Sequence, residues 1–257
     1  MKAWTFFSMP RLAVIPVRRA ATGGMALAFL LGSQRIAPTY AMQGADEGRR
    51  PPGALVLFDG RDAREWVHLR TGKPVQWLLE DGALVVQPRT GDIVTIRRFR
   101  DFRLHLEFQL PSPGPDDPEH GNSGVILHNL YEVQIINSFG RDRPGSGDCG
   151  AIYRQAAPEV NACKAPGEWQ SLDVVFRAPR FDAAGKMLQP ACVTVWLNGS
   201  EIHRDRALLG PTGSRKGLPI TAVGPVVLQD HRSRVRFRNI WVVPLRRADP
   251  AGAKLRD

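Results

Sequence analysis

Arg103-Leu104-His105-Leu106-Glu107-Phe108-Gln109-Leu110 alternates strictly, with apolar side chains at even positions and polar ones at odd positions. Successive side chains of an extended chain point to opposite sides. This stretch therefore reads as a strand that sends Leu104, Leu106, Phe108 and Leu110 into a core and Arg103, His105, Glu107 and Gln109 away from it. On either side of it, short runs rich in Val, Ile, Phe and Trp recur between turn signals. They occupy 54–58, 77–80, 83–87, 93–97, 124–128, 131–137, 172–177, 193–197, 225–229 and 235–243. Asp59-Gly60, Asp81-Gly82 and Asn198-Gly199 separate some of them, dipeptides that accept the left-handed backbone of tight turns. No segment of useful length repeats with the 3.6-residue period of a helix. The pattern predicts an all-β protein, a sandwich or jelly roll of two antiparallel sheets.

Composition agrees. The 257 residues are 43% hydrophobic, too apolar for a disordered chain, and 25 Gly with 21 Pro suit a protein of many turns. The net charge of +10 overstates the basicity of the folded part, because Lys2, Arg11, Arg18, Arg19 and Arg35 lie in an N-terminal stretch without acids. The remaining bases are scattered, several of them in the tail Arg246, Arg247, Lys254 and Arg256, and no nucleic-acid-binding module is visible. Residues 1–41 read as a signal peptide: a basic region ending at Arg18-Arg19, an apolar stretch from Ala20 to Gly32, and small residues at Thr39 and Ala41. The arginine pair points to twin-arginine export, although Ala20-Ala21-Thr22 fits that signal poorly. Residues 42–53 form a Gly- and Pro-containing linker, 54–245 the sandwich, and 246–257 a basic tail. The expected location is outside the cytoplasm, periplasmic or extracellular, with no membrane span in the mature chain. An oxidising compartment permits Cys149 to pair with Cys163 and leaves Cys192 over.

The order of motifs along the mature chain resembles the 3-keto-disaccharide hydrolase domain family. The resemblance rests on Leu57-Phe58-Asp59-Gly60, Glu80-Asp81-Gly82-Ala83-Leu84, Gly121-Asn122-Ser123-Gly124-Val125, Tyr131-Glu132-Val133-Gln134-Ile135, Gly150-Ala151-Ile152-Tyr153 and Gly167-Glu168-Trp169. It continues through Val195-Trp196-Leu197-Asn198-Gly199, Gly224-Pro225-Val226-Val227-Leu228-Gln229-Asp230-His231 and Phe237-Arg238-Asn239-Ile240. It implies a concanavalin-like jelly roll and a carbohydrate substrate, a glycoside whose sugar carries a ketone at C3. Such a ketone acidifies the hydrogen on C2, so a base can remove it and the enolate can expel the group on C1 before water adds back. That chemistry needs a carboxylate or imidazole base and donors for the enolate oxygen, and it does not need the paired carboxylates of ordinary glycosidases.

On that resemblance Glu132 and His231 are the expected catalytic residues. A divalent metal could also bind through this pair. Asn122, Gln134, Asn137, Arg154, Trp169 and Gln229 are the expected substrate-binding residues: amides for hydroxyls, an arginine for developing negative charge, and an indole for a sugar face. The chain departs from the family's pattern at Asn137, where Asp is common, at Gln170, where Asn is common, and at Arg232, where Gly is usual. A non-catalytic carbohydrate-binding module of the same fold is the alternative expectation.

Overall fold

The computed structural model describes residues 49–112, 114 and 121–245. The expectations for the signal peptide, most of the linker and the basic tail fall outside the described residues. Of the fifteen strands among the described residues, numbered in chain order, thirteen build a sandwich of two antiparallel sheets. The larger sheet runs β13 (Ser200–Ala207), β12 (Cys192–Leu197), β9 (Trp169–Arg177), β6 (Phe102–Gln109), β15 (Arg236–Pro244), β4 (Ala83–Val85), β3 (Leu78–Glu80). β1 (Leu55–Phe58) shares an edge of β15 with β4: it pairs with the C-terminal half of that strand and β4 with the N-terminal half. The smaller sheet runs β2 (Trp66–His68), β5 (Ile93–Thr95), β14 (Val226–Leu228), β7 (Ser123–Leu127), β8 (Tyr131–Ile135). A separate hairpin joins β10 (Arg180–Phe181) to β11 (Met187–Gln189). Among the described residues no helix is long and apolar enough to cross a membrane.

The core lies between the sheets and follows the alternation. Leu104, Leu106 and Phe108 of β6 meet Val125, Leu127, Tyr131, Val133 and Ile135 of the smaller sheet in one buried cluster. Each such Leu or Phe stabilises the fold by roughly 1.5–3 kcal/mol relative to exposure. The outward side chains of β6 depart from the expectation at one position, because His105 is fully buried. Trp241 of β15 stacks on it with ring centroids 4.9 Å apart, and Asp173 of β9 lies 3.1 Å from its Nδ1. A bulge in β15 opposite β6 contributes to this cover. Asn239, at φ +48°, turns its amide to Glu107 Oε1 at 2.9 Å. Four strands, β2, β10, β11 and β13, carry no apolar alternation that would announce them. β13 reads Ser-Glu-Ile-His-Arg-Asp-Arg-Ala, the charged pattern of a protected sheet edge.

The three cysteines are free thiols. Cys149 and Cys163 hydrogen-bond one another, and that contact together with burial pushes the Cys149 thiol up. This replaces the expected disulfide.

Candidate active site

The outward face of the smaller sheet is set by residues next to its core positions. Register places Val67, Val94, Val227, Ile126 and Glu132 in one row across β2, β5, β14, β7 and β8. The row is apolar until its last member. Glu132 is 5% exposed, and its carboxyl is pushed up to about 7 by burial, with Arg215 opposing and Asp92 reinforcing the shift. A buried carboxyl at that value is half ionised near neutral pH, where a general base works best. Glycines make room for it. A Cβ at Gly124 of β7 would stand 2.7 Å from Glu132 Oε1, and one at Gly213 would stand 3.2 Å from Oε2.

Three segments wall the site. After β8 the chain returns along its free edge: Tyr153 N donates to Glu132 O at 3.0 Å and Gln134 N to Ala151 O at 2.9 Å. That return sets Tyr153 and Arg154 on one rim. The segment 208–224 crosses the same face. Thr212 N donates to Leu130 O and Thr212 Oγ1 accepts from Glu132 N at 2.9 Å, while Arg215 reaches Asp92 at 2.6 Å. The third wall is the turn after β14. Gln229 O accepts from Ser123 Oγ at 2.7 Å, Asp230 N donates to Asp92 Oδ1 at 3.0 Å, and Ser233 Oγ accepts from Asn122 N at 3.1 Å. These bonds hold His231 at the rim.

The result is a pocket of about 420 Å³ lined by Asn122, Glu132, Gln134, Arg154, Gln229 and His231, together with Tyr153, Gly213, Ser214 and Lys216. Gln134 Nε2 donates to Asn122 Oδ1 at 3.1 Å, while Gln134 Oε1 and Gln229 Oε1 are buried without a hydrogen-bond partner. Buried acceptors of this kind suit ligand hydroxyls.

Two expected binding residues lie elsewhere. Asn137 follows the end of β8, and its Oδ1 accepts from Phe139 N at 3.1 Å, an Asx turn that takes its side chain off the strand face. Trp169 belongs to β9 of the larger sheet, where the Arg238 guanidinium covers its ring at 3.9 Å. The ring is a platform for an arginine and not for a sugar in this pocket. Sequence reasoning missed Arg215, Lys216 and Asp92. The first two sit in a stretch without periodicity, and Asp92 acquires its role from a partner 123 positions away. As for a metal, Glu132 and His231 offer two donors. Among the described residues no group of three or more His, Cys, Asp or Glu side chains is disposed to hold an ion.

A family model described as the 3-keto-alpha-glucoside-1,2-lyase-like domain matches residues 53–243. A protein of Parabacteroides distasonis, named a "putative glycosyl hydrolase" in its crystal structure, is 35% identical with a TM-score of 0.69; the match covers 76% of this chain and 85% of that one. A second protein of the same organism and description is 23% identical with a TM-score of 0.58, covering 76% of this chain and 94% of that one, and shares the fold. No curated protein matches the chain.

Proposed function

Because the chain belongs to the 3-keto-alpha-glucoside-1,2-lyase-like domain family, we propose that it is an enzyme that cleaves 3-keto-glycosides or 3-keto-disaccharides with Glu132 as its base. The observation that carries this reading is the Glu132 carboxyl, buried, raised to about 7 and open to a pocket rich in hydroxyl-binding groups.

Ionised Glu132 takes the C2 proton of a sugar oxidised at C3, and the electron pair of the C2–H bond moves to the ketone oxygen as an enolate. Arg154 and Lys216, both on the pocket wall, supply positive charge toward that oxygen. Collapse of the enolate breaks the C1–O bond, and the departing oxygen takes a proton from His231 or from water. Water then adds its hydroxyl to C1, its remaining proton replacing the one given to the leaving oxygen, while Glu132 returns its proton to C2, for net hydrolysis. Release before water adds would make the same chemistry a lyase. Gln134 and Gln229 hold sugar hydroxyls through their open carbonyl oxygens. The leader-like sequence of residues 1–41 supports placing this activity outside the cytoplasm.

Glu132→Gln tests the reading on a chromogenic 3-keto-glucoside. We expect a loss of at least about 100-fold in kcat/KM, in the range typical of a removed general base, together with loss of C2 hydrogen exchange from solvent. The wild-type kcat/KM should rise with pH through about 7 as Glu132 ionises. Sugar binding without turnover by the wild type would instead identify a carbohydrate-binding module.

A further inference from the structure

A second hollow adjoins the Glu132 pocket and plays no part in the steps above. It encloses about 600 Å³ and shares Gln229 and Ser214 with the pocket, so the two form compartments of one cleft. Arg70, Arg89 and Arg232 line it. Asp92 and Asp230 line it too, but neither carboxylate forms an ion pair with those three arginines. Asp92 accepts from Asp230 N through Oδ1 and from Arg215 through Oδ2. Asp230 accepts from Gly91 N through Oδ2 and from Arg232 N through Oδ1. All four carboxylate oxygens are thus engaged within the chain. None of the ion pairs among the described residues involves Arg70, Arg89 or Arg232.

Backbone geometry shows that two of these arginines occupy defined turns. Arg89 has φ +70° and Arg232 φ +69°, the left-handed region in which glycine is at ease and a larger side chain is strained. Asp230 ties the two turns together, since it binds Gly91 N beside the first and Arg232 N within the second. Long cationic side chains therefore stand where the backbone favours glycine, on two turns fixed to each other across one hollow. Guanidinium groups without an acid partner recognise carboxylate or sulfate oxygens through paired N–H donors.

We propose that this hollow binds an oxyanion-bearing sugar, a uronate or sulfate ester, as the leaving-group half of the substrate. The leaving-group assignment rests on the Glu132 reading; the anion site stands on the arginines alone.

The test is calorimetric titration of the full-length protein with glucuronate, glucose 6-sulfate and glucose. We expect at least one anion to bind about tenfold or more tighter than glucose at low salt. That preference should shrink as salt is raised and disappear in the double variant Arg89→Gly, Arg232→Gly, whose glycines suit both turns. Equal binding of all three sugars, or a preference that survives the double substitution, would overturn the proposal. A turnover arm separates the two readings. A neutral 3-keto-glucoside should be cleaved equally well by wild type and double variant, whereas a 3-keto-glucosyl uronate should be cleaved faster by wild type. Anion preference without any turnover upholds the anion site and overturns the chemistry assigned to Glu132. Turnover without anion preference does the reverse.

Discussion

A single carboxyl, that of Glu132, sets two opposed requirements at the residue scale. Burial makes it a base of suitable strength, and the same burial makes its ionised form costly. An ordinary glutamate in the unfolded chain titrates near about 4.3, while the folded protein holds Glu132 at about 7. Between those values the native state keeps a proton that the unfolded state has lost. This contribution to stability is whole below about pH 4 and is lost as pH rises through 7. Glu132→Gln, which cannot ionise, should therefore be more stable than wild type at pH 8 by about 3 kcal/mol relative to their difference at pH 4, as read by urea unfolding at both values. Gly124 sets the position of that carboxyl. Its φ is ordinary, so alanine fits the backbone, but the added methyl would stand 2.7 Å from Glu132 Oε1. Gly124→Ala should lower kcat/KM by about tenfold or more by displacing the base, while melting stays within a few degrees of wild type.

Of the structural elements, the segment 208–224 matters most to the site, because it carries Arg215 across the sheet face to Asp92. The two charges act on Glu132 in opposite senses: Arg215 lowers its titration and Asp92 raises it. Asp92→Asn should move the acid limb of the pH–rate profile to lower pH, and Arg215→Ala should move it to higher pH. A shift of both variants in one direction would contradict this arrangement. The same segment shows how far the chain could be read in advance. Strands β6, β7, β8, β12, β14 and β15 were legible because alternation and turn dipeptides are local signals. β13 was not, since an edge strand blunted with Glu201, Arg204, Asp205 and Arg206 shows no apolar period. The site divides in the same way. Glu132, Gln134, Gln229 and His231 lie on or beside strands that share a sheet, so the fold brings them together once the sheet forms. Asn137 and Trp169 were misplaced because a turn and the choice of sheet decide where they go. Neither is written in the few residues around them.

Across the whole molecule the two outer faces differ in chemistry. The smaller sheet presents the cleft, whereas the larger sheet carries a charge network of Arg103, His105, Glu107, Asp173 and Arg238, centred on the buried His105 and packed against Trp241 and Trp169. Burial opposes the charge on His105, but the carboxylates of Asp173, 3.1 Å from Nδ1, and Glu107, 4.0 Å from Nε2, outweigh it and raise the imidazole. In return His105, aided by Asn239 and Arg238, holds Glu107 down at about 2. A carboxylate depressed in this way adds stability above the unfolded value of about 4.3, and that stability is lost as pH falls toward 2. Its share is about 1–2 kcal/mol, discounted for the water Glu107 still meets. Glu107→Gln should flatten the acid limb of the stability curve between pH 4.5 and about 2, measured by denaturant unfolding.

The pairing of β1 with β15 also bears on how the molecule is made. β15 lies between β6 and β4 and is the last strand among the described residues, so a growing polypeptide lacks the middle of its larger sheet until residues 236–244 emerge. Until then the earlier strands have no central partner and the first strand has none at all. The larger sheet can therefore close only once residues 236–244 are available to pair on both sides.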